Sequence, residues 1–275
     1  MRSLLFQIRL SNSWAAIAIL CAAIPASAAV QNLFAIDNRG LSATRAKEFL
    51  AIVCPGHVAG AGHEYGCDTC PDGEASADAG KPSWTIQSSI TGHFTEAEAE
   101  NIVLSMEGCE PHATNFGGSV LLAKRGGRWE RNWYQPGALT ARCRKIPLAD
   151  HREILFCEGS YTGSGTASQS LYTMDLSMPE ARRFTRLLLV EDTMAACFAG
   201  TSLRRVFLEK VEFPDLNADG MPDLRVSIQT GNTKKFTEAE ISKLCPDSLP
   251  RPATRRSTME FLFQATPPHV FRRYH

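Results

Sequence analysis

The chain is 275 residues long and sets 29 Lys and Arg against 29 Asp and Glu, so its formal net charge is zero. That balance leaves no electrostatic footprint for nucleic acid or an anionic membrane surface. At 44% hydrophobic residues, the composition is that of a globular chain able to bury an adequate core.

The first stretch reads as a secretory signal peptide over residues 1–28. Arg2 and Arg9 precede an apolar run over 14–24, and Ala26-Ser27-Ala28 offers small residues for a cut between Ala28 and Ala29. The run is too short to span a membrane, and no later stretch is long and apolar enough to do so. Cys21 is not read as a lipid attachment site, because the bulky Leu20 stands directly before it. The expected location is therefore the periplasm or the extracellular space. Removal of the leader takes two Arg and leaves the mature chain slightly acidic. It also leaves eight cysteines: Cys54, Cys67, Cys70, Cys109, Cys143, Cys157, Cys197 and Cys245. An even number in an oxidising compartment points to disulfides. Sequence does not dictate connectivity. Cys143 with Cys157, and Cys197 with Cys245, are the favoured pairs, because each brackets a strand-turn-strand stretch.

Residues 29–82 read as an irregular, Cys/Gly-rich segment with one helix. That helix is expected over 42–53: Ser42 can cap it, and Ala46, Phe49, Leu50 and Val53 share one face. Pro55-Gly56 ends it. A polar Gly/Ala/Asp run over 71–82 reads as a loop. Cys54-x-x-His57 with Cys67-x-x-Cys70 has the spacing of a zinc site, the alternative to disulfides there. The C-x-x-C lacks the βαβ surroundings of a redox motif.

Residues 83–275 read as a β-repeat domain. Residues 95–107 satisfy two templates. Thr95 and Glu98 make a capping box for a helix, whereas 101–107 reads as an apolar strand, which is the reading adopted. Runs over 119–124 and 129–134 form a hairpin around Gly126-Gly127. In that hairpin Trp129, Trp133 and Tyr134 can pack into the core or form a binding platform. Cys109, Glu110, His112 and Asn115 could line a hydrolytic site. Residues 154–157 read as a fully buried strand, 159–170 as a Gly/Ser/Thr-rich loop, and 171–176 and 184–190 as strands. Ser160 and Ser164 lie outside any nucleophile-elbow motif. Strand 224–228 alternates, with Leu224, Val226 and Ile228 on one face. The string FTEAE, present at 94–98, recurs at 236–240, where Ile241 and Leu244 suggest a short helix. Residues 259–264 make the last clear strand.

The densest chemistry lies at 213–224. Asp215, Asn217 and Asp219 place side-chain oxygens at alternate positions, Gly220 permits a sharp turn, Met221 offers its carbonyl, and Asp223 adds a carboxylate. Hard divalent cations take about six to eight oxygens, and the loop supplies most of them. An EF-hand would need a Glu where Val226 stands and helices on both sides. A faint repeat accompanies the loop. Phe213, an acidic loop and LRVSIQTG parallel Phe94 with NIVLSMEG, and Ile146 with EILFCEG, each a polar loop running into a strand that ends in Gly.

The D-x-N-x-D-G-x-x-D spacing and the following Leu224 resemble the calcium loops of FG-GAP/VCBS repeats, also found in integrin α-subunit propellers. The resemblance implies a loop joining two strands of a blade, with Asp215, Asn217, Asp219, Met221 and Asp223 around a structural calcium ion. The fold expected is mainly β, built of blade-like antiparallel repeats with one or two short helices; the alternative is an α+β chain with a β-sandwich core. The function expected is a calcium-binding, non-enzymatic binding module for a protein or carbohydrate ligand. The alternatives are a secreted hydrolase using the Cys/His cluster or Glu110 and His112, and a cell-surface structural protein.

Overall fold

The computed structural model describes residues 33–61, 64–70, 84–108, 117–138, 140–245, 248–267 and 269–274. The leader with its cleavage site, the 71–82 run, and Cys109, Glu110, His112 and Asn115 lie outside them.

Helix α1 (Ala43–Val53) begins where the Ser42 hydroxyl accepts the Arg45 amide at 3.3 Å, and it buries Phe49, Leu50 and Val53. Strands β1 (Val58–Ala61), β2 (Glu64–Cys67), β3 (Trp84–Gly92), β4 (Asn101–Gly108), β5 (Gly118–Arg125) and β6 (Arg128–Pro136) form the first sheet. Strands β7 (Cys143–Pro147), β8 (Glu153–Gly163), β9 (Thr166–Met174) and β10 (Phe184–Asp192) form the second. Strands β11 (Ser202–Glu212), β12 (Leu224–Lys235), β13 (Arg255–Phe263) and β14 (Phe271–Tyr274) form the third. Short helices α2 (Glu180–Arg183) and α3 (Glu238–Leu244) interrupt the strand succession. Every sheet is an antiparallel meander of consecutive strands, and the chain is mainly β as expected.

Side-chain alternation shows how the sheets stack. On β4 and β5, Ile102, Leu104, Met106, Val120 and Leu122 pack under α1, while Val103 and Leu121 point the other way. There they meet Cys143, Leu155, Cys157 and Met174 of the second sheet. The opposite face of β8 carries Ile154 and Phe156, which pack against Val206, Leu224, Val226, Phe261 and Phe271 of the third sheet. The order of layers is thus α1, first sheet, second sheet, third sheet. A strand between two layers must be apolar on both faces, whereas a strand in an end layer alternates. The burial patterns agree: β4, β5 and β8 each hold six consecutive buried residues, and β12 starts as buried-intermediate alternation.

Several expectations change. Residues 159–170 are not a loop: β8 and β9 run on through Gly163 and Thr166, closed by Ser164 (φ 49°) and Gly165 (φ 74°). Two consecutive positive φ values make the tight turn whose twist matches a hairpin, and Ser-Gly was its signal. The 29–82 segment is less irregular than expected, since β1 and β2 extend the first sheet. β14 follows the strand expected to be last. Gly159 and Gly231 lie within strands; of the three repeat glycines, only Gly108 ends one. The FTEAE copy at 94–98 is a bend, whereas Thr237 and Glu240 close a full capping box at the start of α3.

A strap over 33–39 touches all three sheets. The Leu33 carbonyl accepts from Val211 (3.2 Å), the Asp37 amide donates to the Cys143 carbonyl (2.8 Å), and Arg39 bridges to Ser89. Disulfides join Cys54 to Cys67, Cys143 to Cys157 and Cys197 to Cys245, with Cα separations of 6.0, 4.1 and 5.8 Å. Cys143 and Cys157 are direct register partners on β7 and β8, and both are fully buried. Cys70 is also disulfide-bonded. Closing loops of 13 and 14 residues removes unfolded-state entropy worth about 3 kcal/mol each.

Candidate functional site

The acidic loop connects β11 to β12, the first and second strands of the third sheet. The other two loops of the faint repeat also join antiparallel neighbours: 93–100 joins β3 to β4 in the middle of the first sheet, and 148–152 joins β7 to β8 at an edge of the second.

The loop is closed by its own backbone. Asp215 accepts the amides of Asp219 (Oδ1, 3.1 Å) and Gly220 (Oδ2, 3.0 Å). Asn217 Oδ1 accepts the Asp219 amide at 3.2 Å, and Asp219 Oδ1 accepts the Met221 amide at 2.8 Å. Gly220 has φ 81°, as the sharp turn demands, and Ala218 is left-handed at φ 59°. Asp223 stands apart from the others. It is fully buried, its Oδ2 accepts the Leu216 amide at 2.7 Å, and its Oδ1 accepts the Phe263 amide of β13 at 2.8 Å. Asn101 does the same for the β3–β4 loop, its buried Oδ1 taking the amides of Phe94 and Thr95. A buried polar side chain heading the second strand is thus the shared closing device, and it works without charge in the first sheet.

These oxygens are of the kind a hard cation takes, and a carboxylate oxygen that accepts one amide keeps a second lone pair. Among the described residues, no three Asp, Glu, His or Cys side chains gather at metal-binding distance. Asp215, Asp219 and Asp223 are turned onto amides instead.

The zinc alternative does not survive. Cys54 and Cys67 are bonded to each other and Cys70 is in a disulfide, so no thiolate remains, and His57 Nδ1 lies 3.1 Å from Asp68 Oδ1. The aromatic platform also comes apart. Trp129 packs edge-on to Phe49 (5.6 Å) and Tyr134 to Trp84 (5.2 Å), both on the α1 side. Trp133 lies on the other face against Phe184 and under Arg183. A bulge that leaves Asn132 unpaired puts Trp129 and Tyr134 on one face despite their odd spacing.

No family model, curated protein or solved structure matches this chain. The chemistry must therefore be read from its own residues.

Two further places hold chemistry that sequence patterns did not reveal. Clefts of about 420 and about 730 Å³ open where the first and second sheets meet. The larger is bordered by Arg142 and Glu158. Glu158 is 2% exposed, and its Oε2 takes the Arg142 guanidinium at 2.8–2.9 Å. Burial pushes this carboxyl up more strongly than Arg142 and Gln169 pull it down.

Asp175 and His269 form the second, a buried pair 94 residues apart in sequence, with His269 Nδ1 2.8 Å from Asp175 Oδ2. Ser177 donates to Asp175 Oδ1 at 2.6 Å, and Arg152 approaches it at 3.4 Å. Burial pushes the Asp175 carboxyl up, but the hydrogen bonds from Ser177 and His269 and the Arg152 charge outweigh it and hold the pKa below 3.8. A carboxylate accepts only, so His269 Nδ1 carries the proton. The unfolded chain binds more protons at this position, so its stabilising effect is present above the ordinary Asp range and is lost as pH falls through the folded pKa. Urea midpoints are expected to fall between about pH 5 and about pH 3, and Asp175→Asn should flatten that fall while lowering the midpoint at neutral pH. An acid limb of unchanged steepness in Asp175→Asn would remove Asp175 as its cause.

Proposed function

We propose that this chain is an exported, non-enzymatic binding module of β repeats, clasped by one structural calcium ion at the 215–223 loop, as its likeness to FG-GAP/VCBS loops implies. The observation that carries the reading is the loop itself. Asp215, Asn217 and Asp219 present oxygens around a left-handed Gly220, between two paired strands. The disulfides support an oxidising compartment. Its ligand would be a protein or a carbohydrate. The hydrolase reading gains nothing from the described residues, because the cysteines it invokes there are bonded.

A bound calcium ion would supply charge that holds Asp215 and Asp219 together. Calorimetric titration of the oxidised, full-length chain should show one calcium per chain, with Kd of about 10⁻⁴ to 10⁻³ M, as for extracellular modules. Asp219→Ala should abolish the heat while leaving the far-ultraviolet spectrum unchanged. A wild-type chain that gives no heat with calcium overturns the calcium reading.

A further inference from the structure

The smaller cleft has a chemical character that the loop does not share. Its walls come from the end of β6, from β8 and β9 near their turn, and from the start of β10. Tyr161, Tyr172 and Phe184 supply aromatic surface, Ser160 and Gln135 supply hydrogen-bonding groups, and Arg186 is its one charged residue. The serines 168 and 170 line it too, and their hydroxyls donate to the carbonyls of Tyr161 and Gly159, which leaves their oxygens able to accept. Among the described residues no carboxylate lines the cleft. Arg186 is exposed and makes no ion pair among the described residues. Just before β10, Arg183 lies 4.8 Å over the Trp133 ring, and among the described residues its Nε and Nη1 have no hydrogen-bond partner.

Tyr161 lines the cleft and is 38% exposed. Its ring lies across Gly163, where any Cβ would collide with the Tyr161 hydroxyl. Glycine at that position thus keeps the ring against the hairpin. The cleft volume of about 420 Å³ lies inside the range of roughly 300–1,000 Å³ typical of small-ligand sites.

From this combination we infer that the cleft between β6 and β8–β10 binds an acidic oligosaccharide, with Arg186 pairing a sugar carboxylate and Tyr161 packing on a pyranose face. Aromatic rings cover the apolar face of a sugar, the serine hydroxyls and Gln135 meet its hydroxyl groups, and a planar guanidinium matches a carboxylate with two parallel hydrogen bonds. The inference rests on the binding-module reading and names the ligand class for it, but does not depend on the calcium loop.

The test is calorimetric titration of the full chain with tri-galacturonic acid and with cellotriose as the neutral control. The trimeric uronate is expected to bind at least tenfold more tightly than cellotriose. Arg186→Ala should erase that preference, a loss of about ten- to a hundredfold for the uronate alone. Tyr161→Ala and Gly163→Ala should weaken both ligands without changing their ratio. Equal affinity for the two sugars, no effect of Arg186→Ala, or no binding of either sugar overturns the inference. In the last case the module reading stands with another ligand. Cleavage of the uronate trimer would instead keep the site and overturn the non-enzymatic reading.

Discussion

Phe156→Ala is expected to destabilise the chain by about 4 kcal/mol. Phe156 is fully buried on β8, between the second and third sheets. Its ring meets Phe34 of the N-terminal strap at 5.2 Å, Phe213 at 5.0 Å and Phe271 of β14 at 5.8 Å, all nearly edge to face. Truncation leaves a cavity that three separate segments would have to close at once, and a site bounded by paired strands relaxes poorly. A loss of that size corresponds to a fall in melting temperature of about 8–16 °C for a chain of this length. Phe213 is also the first residue of the acidic loop, so this ring cluster seats the base of the clasp. A change below about 1 kcal/mol would mean the two sheets do not share a core here.

Asp223→Ala should cost about 2–5 kcal/mol, in calcium or without it. The fully buried carboxylate holds two backbone amides, the buried one of Phe263 and the half-buried one of Leu216. Alanine leaves both donors without their partner, at roughly 1–3 kcal/mol each, the smaller figure applying to Leu216, which water can reach. Asp223→Asn keeps one acceptor oxygen but turns an NH₂ toward the other amide, so it should recover less than half of the loss. Asp219→Ala provides the contrast: its contacts lie within an exposed loop, and without calcium its effect should stay within about 0.5 kcal/mol. Chemical denaturation of the three variants in chelator separates these roles. Equal losses for Asp219→Ala and Asp223→Ala would contradict the division.

That division could not be read from the motif. D-x-N-x-D-G-x-x-D treats its last Asp as one ligand among equals, whereas the structure ties Asp223 to β13, 40 residues further on. Patterns that arise within one strand were legible. The double-sided apolar runs of β4, β5 and β8 and the alternation of β12 follow directly from which faces are covered. The cysteine pairs 143–157 and 197–245 were legible because each brackets a local excursion of the chain. Features that depend on distant partners were not. The Asp175–His269 pair and the 33–39 strap join segments whose neighbours the local sequence does not name. The two FTEAE strings make the same point. At 236–240 the box is completed because Ile241 packs with Leu203 and Phe236, whereas at 94–98 Asn101 takes the Phe94 and Thr95 amides and no helix starts.

A calcium ion clasped by the 215–223 loop should stabilise the fold. The melting temperature of the oxidised chain in about 10 mM calcium is therefore expected to exceed that in excess chelator by about 3–10 °C, and the difference should vanish in Asp219→Ala. Identical melting of the wild-type chain in calcium and in chelator would contradict it.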